Sequence, residues 1–348
     1  MGFSAYGKKN KYIEDTFSKI MLDNCENLEY SRNLVIPTYN VGDVAEQSNI
    51  KVNLIIEFID KCVYEGFSLE DISYNFQKSW VSCILKVIEK IKDISKNFCG
   101  AGGCFLNVEL NRKIIDTNWF EKVEFTPVSN DSGQALGAFL KNEDVKKFTP
   151  FCGGEAYDLD NLGEYLKDFN VEPLLLRRIA EEINNNKIVG VFRGEMEIGP
   201  RALGNRSILA NTKNPDMKDI LNQRVKHREW YRPFGAIVRR EDISKYFDLD
   251  YDVPYMNILV YNKTNKFPAI THIDNSTRIQ TVTKEQNQFI YDLLGEIEKV
   301  QGDPIVINTS FNVKGKPIIN WYSDALQMLK NKEIDYLVLD DKIISAKM

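Results

Sequence analysis

At 348 residues, with 43% hydrophobic and 27% charged residues, the chain is long enough for two domains with cores of ordinary size. Its formal charge of -5, from 45 Lys and Arg against 50 Asp and Glu, argues against the broad basic face that selects nucleic acid or an anionic membrane. No apolar run approaches the roughly 18 residues of a membrane span, the first residues carry no secretion signal, and six scattered cysteines read as reduced thiols of a cytoplasmic protein.

Residues 1–35 open with M-G-F-S-A-Y-G and run into a short helical stretch. Residues 41–95 carry two helical stripes, Val52, Leu54, Ile55, Phe58, Ile59 and Cys62, then Trp80, Val81, Ile84, Leu85, Val87 and Ile88. This spacing predicts a packed pair of helices. Residues 97–99 predict a strand entering Gly100, Gly102 and Gly103, followed by a helix. Such a turn can present unpaired N–H groups to a phosphate or ribose, or can serve close packing alone. Cys99 and Cys104 flank it with no His nearby, which is a poor zinc signature. A strand at 123–125 leads to Asp131 at a strand-to-helix turn beside Gly133, where an N-cap and a metal or phosphate contact fit equally.

Residues 149–160 are rich in turn formers and divide the chain into domains 1–150 and 151–348. Beyond them the pattern predicts a helix at 172–184, a strand at 188–192, a helix at 216–225 and a strand at 257–260. An extended polar segment at 269–282, an amphipathic helix at 285–300 and a buried strand opening into a polar turn at 304–319 follow. A helix at 323–329 and a strand at 336–339 close the chain. The alternation predicts an α/β (α+β) fold without internal repeats.

The densest chemistry lies in residues 189–236. Lys187, Arg193, Arg201, Arg206, Lys213, Lys218, Arg224, Lys226, Arg228 and Arg232 crowd one segment of an acidic protein. That local charge calls for a small polyanion. Arg201, Lys226, Arg228 and Arg232 on one side, with Arg278, Ser310 and Asn312 on the other, supply bidentate forks, a compact charge and neutral hydrogen bonds. Ser310 and Asn312, two apart at a strand end, point to one side if extended. Together they predict a polyphosphate or acyl-phosphate site that works by positioning and charge stabilisation.

Four blocks extend this reading: E-I-G-P-R-A-L-G-N-R-S-I-L-A, K-H-R-E-W-Y-R-P-F, H-I-D-N-S-T-R-I-Q-T-V and N-T-S-F-N-V-K-G-K-P-I. In order and spacing they resemble the C-terminal domain of the NodU/CmcH/TobZ O-carbamoyltransferases, over about residues 150–347. The resemblance implies a YrdC-like domain whose K-x-R and S-x-N pairs, Lys226/Arg228 and Ser310/Asn312, bind carbamoyl phosphate and ATP with Mg2+. It implies carbamoyladenylate as product, with pyrophosphate released. Arg201, Lys226 and Arg232 would hold the phosphates, and Arg228, Arg278, Ser310 and Asn312 would complete the pocket. Small departures from the family pattern include Glu195 two places before the usual acidic position at Glu197, and Gly235-Ala236-Ile237 for Ala-Pro-Ser.

M-G-F-S-A-Y-G, A-G-G-C-F-L-N and N-D-S-G-Q-A-L-G-A resemble the second half of the family's N-terminal domain, implying a partial ASKHA-type (sugar kinase/actin-like) fold in residues 1–150. By that resemblance Gly102, Gly103 and Asn107 face adenosine, and Asp131 ligates Fe2+ or another divalent metal. The family's H-x-x-x-H metal pair is absent; the only histidines are His227 and His272. The expectation is a component that makes carbamoyladenylate and passes the carbamoyl group to an acceptor hydroxyl on a small molecule. A second polypeptide would carry the N-terminal subdomain, and strands 97–99 and 123–125 would stand on an incomplete sheet. The alternatives are a non-catalytic nucleotide- or carbamoyl-phosphate-binding regulatory subunit, or a truncated remnant.

Overall fold

The computed structural model describes residues 2–22, 41–140 and 148–347. Two compact units divide the chain: residues 1–100 with 109–124, and residues 101–108 with 125–348. The helical stretch expected within residues 1–35 is described as far as Leu22, and the remainder of that expectation lies outside the described residues.

In the first unit, helices α1 (Lys11–Leu22), α2 (Val41–Tyr64) and α3 (Leu69–Glu89) pack together. Ile13, Phe17, Phe58, Cys62 and Ile72 form their core, and the Phe17 ring meets Phe58 and Phe76 edge-on. The first sequence stripe is only half covered: Phe58 and Cys62 are buried, whereas Val52 is 52% and Leu54 45% exposed. Ser68 caps α3 by accepting from Asp71 N, and α3 holds the unit's next helix through Gln77 and Lys78, both bonded to Glu109. Strands β1 (Asn97–Gly100) and β2 (Lys122–Phe125) pair in a two-stranded sheet, with α4 (Val108–Asp116) between them in sequence. The two expected strands are present, and among the described residues no further strand joins them.

In the second unit, α5 (Ser132–Leu140) buries none of its residues. A nine-stranded mixed sheet follows, in the order β3-β11-β10-β4-β5-β9-β6-β8-β7. Its strands are β3 (Phe169–Pro173), β4 (Val189–Phe192), β5 (Arg206–Ala210), β6 (Gly235–Arg239), β7 (Leu259–Tyr261), β8 (Ser276–Val282), β9 (Ile305–Ser310), β10 (Tyr336–Leu339) and β11 (Lys342–Ala346). Pairs β4/β10 and β6/β8 are parallel and the others antiparallel. Helix α6 (Leu162–Tyr165) precedes β3, and α7 (Leu176–Asn184), α8 (Met217–Ile220), α9 (Ile243–Tyr246), α10 (Gln288–Gln301) and α11 (Tyr322–Lys330) fill the connections. This is the mixed α/β class expected from sequence.

One face of the sheet is closed by α7 and α10. Ile179 and Ile183 of α7, and Ile290, Leu294 and Ile297 of α10, pack on Val189, Val191, Leu209, Ile237, Val282, Val306 and Val338. Each fully buried aliphatic side chain contributes about 1.5–3 kcal/mol relative to exposure. On the opposite face Gly190 lets Phe311 and Ile334 approach: a Cβ there would lie 2.6 Å from the Phe311 ring.

Four strands differ from the sequence expectation. Residues 172–173 belong to β3, not to a helix, because Pro173 favours an extended neighbour and β3 pairs with β11. The helix starts at Leu176 instead. The chain ends in a hairpin, β10 to β11, turned through Asp340 at φ 49°, so 336–339 is not the last strand. β5 lies within the first basic block and β6 directly after the second, where arginines and glycines mask their short apolar runs. Helix α10 begins three residues after the expected start because the Asn287 side chain accepts from Ile290 N, and Gly302 at φ 84° ends it.

Candidate functional site

Beyond the helix-covered core, the same sheet face turns polar. Gly235 on β6 pairs with Arg278 on β8 and with Asn308 on β9, and Ser207 on β5 pairs with Ser310. Paired residues share a face, and residues two apart along a strand return to it. Arg278, Gln280, Asn308, Ser310 and Ser207 therefore form one polar floor, with side-chain-free Gly235 in its middle. A Cβ at Gly235 would meet the Met256 sulfur at 2.8 Å.

The Gly-Pro-Arg loop lies over this floor. Asn308 Nδ2 donates to Ala202 O at 2.8 Å and to Gln280 Oε1 at 2.9 Å, while Gln280 Nε2 donates to Leu203 O at 2.8 Å. From behind, the buried Glu197 carboxylate accepts from the amides of Leu203, Asn205 and Arg206 at 2.6–3.2 Å. These bonds fix where Arg201 emerges. Glu197→Ala would strand the buried amides of Leu203 and Arg206 at about 1–3 kcal/mol each, with the half-buried amide of Asn205 adding less. Urea denaturation is therefore expected to show at least about 2 kcal/mol of lost stability.

Lys226 arrives by a different route. Helix α8 runs into a π-helical turn, Leu221–Lys226, and His227 leaves it at φ 45°. Asn222, buried in that turn, donates Nδ2 to Arg232 O at 3.1 Å and accepts from Arg228 Nε at 2.7 Å. It thereby shapes the whole K-H-R-E-W-Y-R-P-F block. Lys226 Nζ donates to Ser310 O, to Asn312 O at 3.0 Å and to Asn312 Oδ1 at 2.9 Å. Ser310 Oγ donates to Asn312 Oδ1 at 2.7 Å. The K-x-R lysine and the S-x-N pair thus meet in one hydrogen-bonded cluster.

Arg228, Arg278 and Arg201 stand around it. Burial, then Arg201 and Arg228, lowers the Arg278 guanidinium to about 9. Burial, then Arg228, lowers the Lys226 ammonium to about 7. Burial, then Arg232, brings Arg228 to about 10, and burial lowers Arg201 as well. Among the described residues no carboxylate forms an ion pair with Arg201, Lys226, Arg228 or Arg278. Glu229 offsets Arg228 only in part, so this chain of neighbouring cations costs stability unless an anion joins it. Arg228 also lies 4.5 Å over the Phe234 ring.

Other expected positions lie apart from this hydrogen-bonded cluster. Arg232 is exposed and pairs with Glu229 at 3.0 Å. Gly102 and Gly103 are exposed at the head of a 3-10 turn, Gly103–Leu106, with Gly102 at φ 94°, and Asn107 is half-buried after it. Asp131 is exposed just before α5. Among the described residues no group of three His, Cys, Asp or Glu side chains gathers to hold a metal. Asp131 alone does not make a divalent site.

Several residues of the basic segment have structural duties. The buried Arg206 donates to Arg193 O, Asn205 O, Gly194 O and Asn320 Oδ1 and covers the Phe192 ring. Arg224 pairs with Asp335 and Lys213 with Asp303. The sequence reading missed Glu197's amide contacts and the buried amides Asn222, Gln280 and Asn308. Their one signal was position, inside or beside the four blocks. His272 is buried too: Nε2 lies 3.4 Å from Tyr231 O and Nδ1 3.5 Å from Asp274. Burial would raise Asp274, but hydrogen bonds from His272 and Ser276 outweigh it and hold its carboxyl at about 2. No helix among the described residues is long and apolar enough to cross a membrane.

Residues 180–346 match the family described as Carbamoyltransferase C-terminus, and residues 1–140 match Carbamoyltransferase N-terminus. The chain is 33% identical over 303 residues to nodulation protein NolNO of Sinorhizobium fredii, covering 80% of this chain and 44% of that protein. It is 34% identical over 253 residues to 3'-hydroxymethylcephem-O-carbamoyltransferase of Streptomyces clavuligerus, covering 69% and 47%. Among solved structures, full-length HypF in its phosphate- and nucleotide-bound form aligns at a TM-score of 0.38 and 18% identity, over 60% of this chain and 35% of that one. The chain spans about half the length of the curated relatives it matches. With both family matches together running through most of its length, the chain belongs to the carbamoyltransferase family.

Proposed function

We propose that the cation cluster binds carbamoyl phosphate and ATP and forms carbamoyladenylate, which then donates its carbamoyl group to an acceptor hydroxyl. One observation carries this reading: Arg278 lies close to Arg201 and Arg228, and Arg228 close to Lys226, with none of the four in an ion pair among the described residues, and Lys226 is bonded to Ser310 and Asn312. Such a group neutralises phosphate oxygens and the charge that builds as they leave. Water releases phosphate from carbamoyl phosphate, leaving carbamate. A carbamate oxygen then attacks the α-phosphorus of ATP, and pyrophosphate departs with the electron pair of the broken P–O bond. Lys226, held in place by three oxygens of the S-x-N turn, supplies a positive charge in its ammonium form, which a bound anion favours; Arg278, Arg228 and Arg201 supply forks. Mg2+ enters with ATP as its counter-ion.

The transfer step belongs to the same proposal, with a small-molecule hydroxyl as acceptor. The similarity to a cephem O-carbamoyltransferase supports that class of acceptor. Gly102, Gly103 and Asn107 are proposed to face adenosine there, and Asp131 to contribute one ligand to a divalent metal. The remaining ligands are proposed to come from a second polypeptide, since His227 and His272 are the sequence's only histidines. Domains 1–150 and 151–348 are proposed to divide the transfer and adenylation work.

The test is pyrophosphate release from Mg-ATP by the purified chain. Release that requires carbamoyl phosphate and falls at least a hundredfold in Ser310→Ala/Asn312→Ala is expected. ATP binding with no release, alone or with added partner chains, would replace the proposal with a purely binding role.

A further inference from the structure

The backbone that carries Arg228 is irregular from there to Phe234, between the π-helical turn and β6. Such a segment keeps one shape only where its peptide groups find partners. Three successive carbonyls find them on two buried side chains. Asn222 Nδ2 lies 3.4 Å from Trp230 O and 3.1 Å from Arg232 O, and between them His272 Nε2 lies 3.4 Å from Tyr231 O. A carbonyl only accepts, so Nε2 carries the proton of that bond.

Asn222 belongs to the turn that feeds the loop, whereas His272 comes from the turn that opens β8, the strand bearing Arg278. That turn is closed on itself. His272 N donates to Ser276 O and Asn275 N to His272 O, both at 2.9 Å, and Asp274 Oδ1 accepts from Ser276 N at 3.1 Å and Oγ at 2.5 Å. It is also fastened beyond the end of β7, where Asn275 Nδ2 donates to Asn262 O at 2.9 Å and Asn262 Nδ2 to Asn275 O at 3.0 Å. Asp274 lies 3.5 Å from Nδ1, across the ring from Nε2, and orients the imidazole. Histidine suits this place because its two nitrogens face opposite ways, one towards its own turn and one towards the loop.

We propose that His272 is a positioning residue of the anion site: it pins the Arg228 loop to the β8 turn, so that Arg228 stands beside Arg278 before an anion arrives. The inference rests on the anion-binding role given to the cation cluster above and names what holds two of its cations together. Those two guanidinium groups repel each other, and the charge of Arg228 is one cause of the lowered Arg278 value. A loop free to move would relieve the repulsion by carrying Arg228 away, and an incoming anion would have to draw it back. Holding the Tyr231 carbonyl from a rigid turn removes that cost, which is how preorganisation raises affinity.

Two amides divide the functions of the ring. In His272→Gln the amide nitrogen reaches the place of Nε2 and can donate to Tyr231 O; in His272→Asn it takes the place of Nδ1, beside Asp274, and falls short of the loop. Both variants are uncharged and each gives up one contact, so urea denaturation is expected to show similar stability for the two. Sulfate titration at pH 6, below the Lys226 value of about 7, is expected to separate them. Binding weakens about five- to tenfold in His272→Asn, the scale of one hydrogen bond, and stays within about twofold of wild type in His272→Gln. In an Arg228→Met background His272→Asn is expected to change sulfate affinity by less than about twofold, because the pin acts through that arginine. If His272→Asn does not fold, Asp274→Ala, at a partly exposed position, is expected to weaken sulfate binding by about two- to threefold, and unchanged binding there would count against the proposal. Equal sulfate affinity in the Gln and Asn variants, or an undiminished effect of His272→Asn without Arg228, would overturn the positioning role while leaving the anion site standing. A wild-type chain that binds no sulfate would instead remove the anion site on which the inference rests.

Discussion

Arg278→Met is expected to stabilise the unliganded protein while weakening its hold on anions by about 10–100-fold. The two effects have one cause. Arg278 is driven down to about 9 by burial and by the charges of Arg201 and Arg228, and no described carboxylate pairs with it. A methionine of similar length fills the space without carrying charge into it. Replacing buried charge by apolar volume commonly contributes about 1–4 kcal/mol of stability, and functional sites often give up stability in this way. Against that, hydrogen bonds to a charged partner are worth about 1.5–3 kcal/mol, the source of the expected affinity loss. Urea denaturation and sulfate titration of the same two proteins check both signs. A destabilised variant with unchanged sulfate affinity would contradict the assignment of Arg278 to the anion floor.

Lys226 makes stability and anion affinity run in opposite directions with pH. Burial and Arg228 put its folded value at about 7, whereas an unfolded lysine titrates near 10.4. Between these values the unfolded chain binds more protons, so stability rises with pH from about 7 upward. Anion binding favours the ammonium form, so affinity is flat below about 7 and falls above it, approaching tenfold per unit. Arg278 and Arg228, at about 9 and about 10, add the same signs at higher pH, which makes pH 6–8.5 the window for Lys226. Sulfate keeps a constant charge there and suits the measurement. Both slopes are expected to flatten in Lys226→Met. A wild-type sulfate affinity independent of pH from 6 to 8.5 would show that Lys226 does not hold the anion.

What could be read from the sequence follows from how each part is built. Strands β4, β9 and β10 sit between buried faces, so V-G-V-F, I-V-I-N and Y-L-V-L appear as short apolar runs. β5 and β6 are just as buried but begin with Arg206 and Gly235, and their apolar letters are lost among loop-like neighbours. β11 requires knowledge of the hairpin at Asp340, a tertiary event. The meeting of Lys226 with Ser310 and Asn312 was legible because the K-x-R and S-x-N pairs stand within blocks that resemble one family's pocket; the 84 residues between them carry no such signal by themselves. The supports were not. Asn222, Gln280 and Asn308 act through burial and orientation, and an asparagine in a strand is written with the same letter as one in a loop. Charge counting also overstated the site, because Arg206, Arg224 and Lys213 are satisfied by the protein itself.

Activation of the carbamoyl group as an adenylate on the cation cluster can be followed by isotope exchange. Labelled pyrophosphate is incubated with the chain, unlabelled Mg-ATP and carbamoyl phosphate, with no acceptor present. Label is expected in ATP only when carbamoyl phosphate is supplied, and is expected to be lost in Lys226→Met and Arg278→Met while both variants remain folded. Exchange that proceeds without carbamoyl phosphate, or that survives both substitutions, would rule out carbamoyl adenylation by these cations.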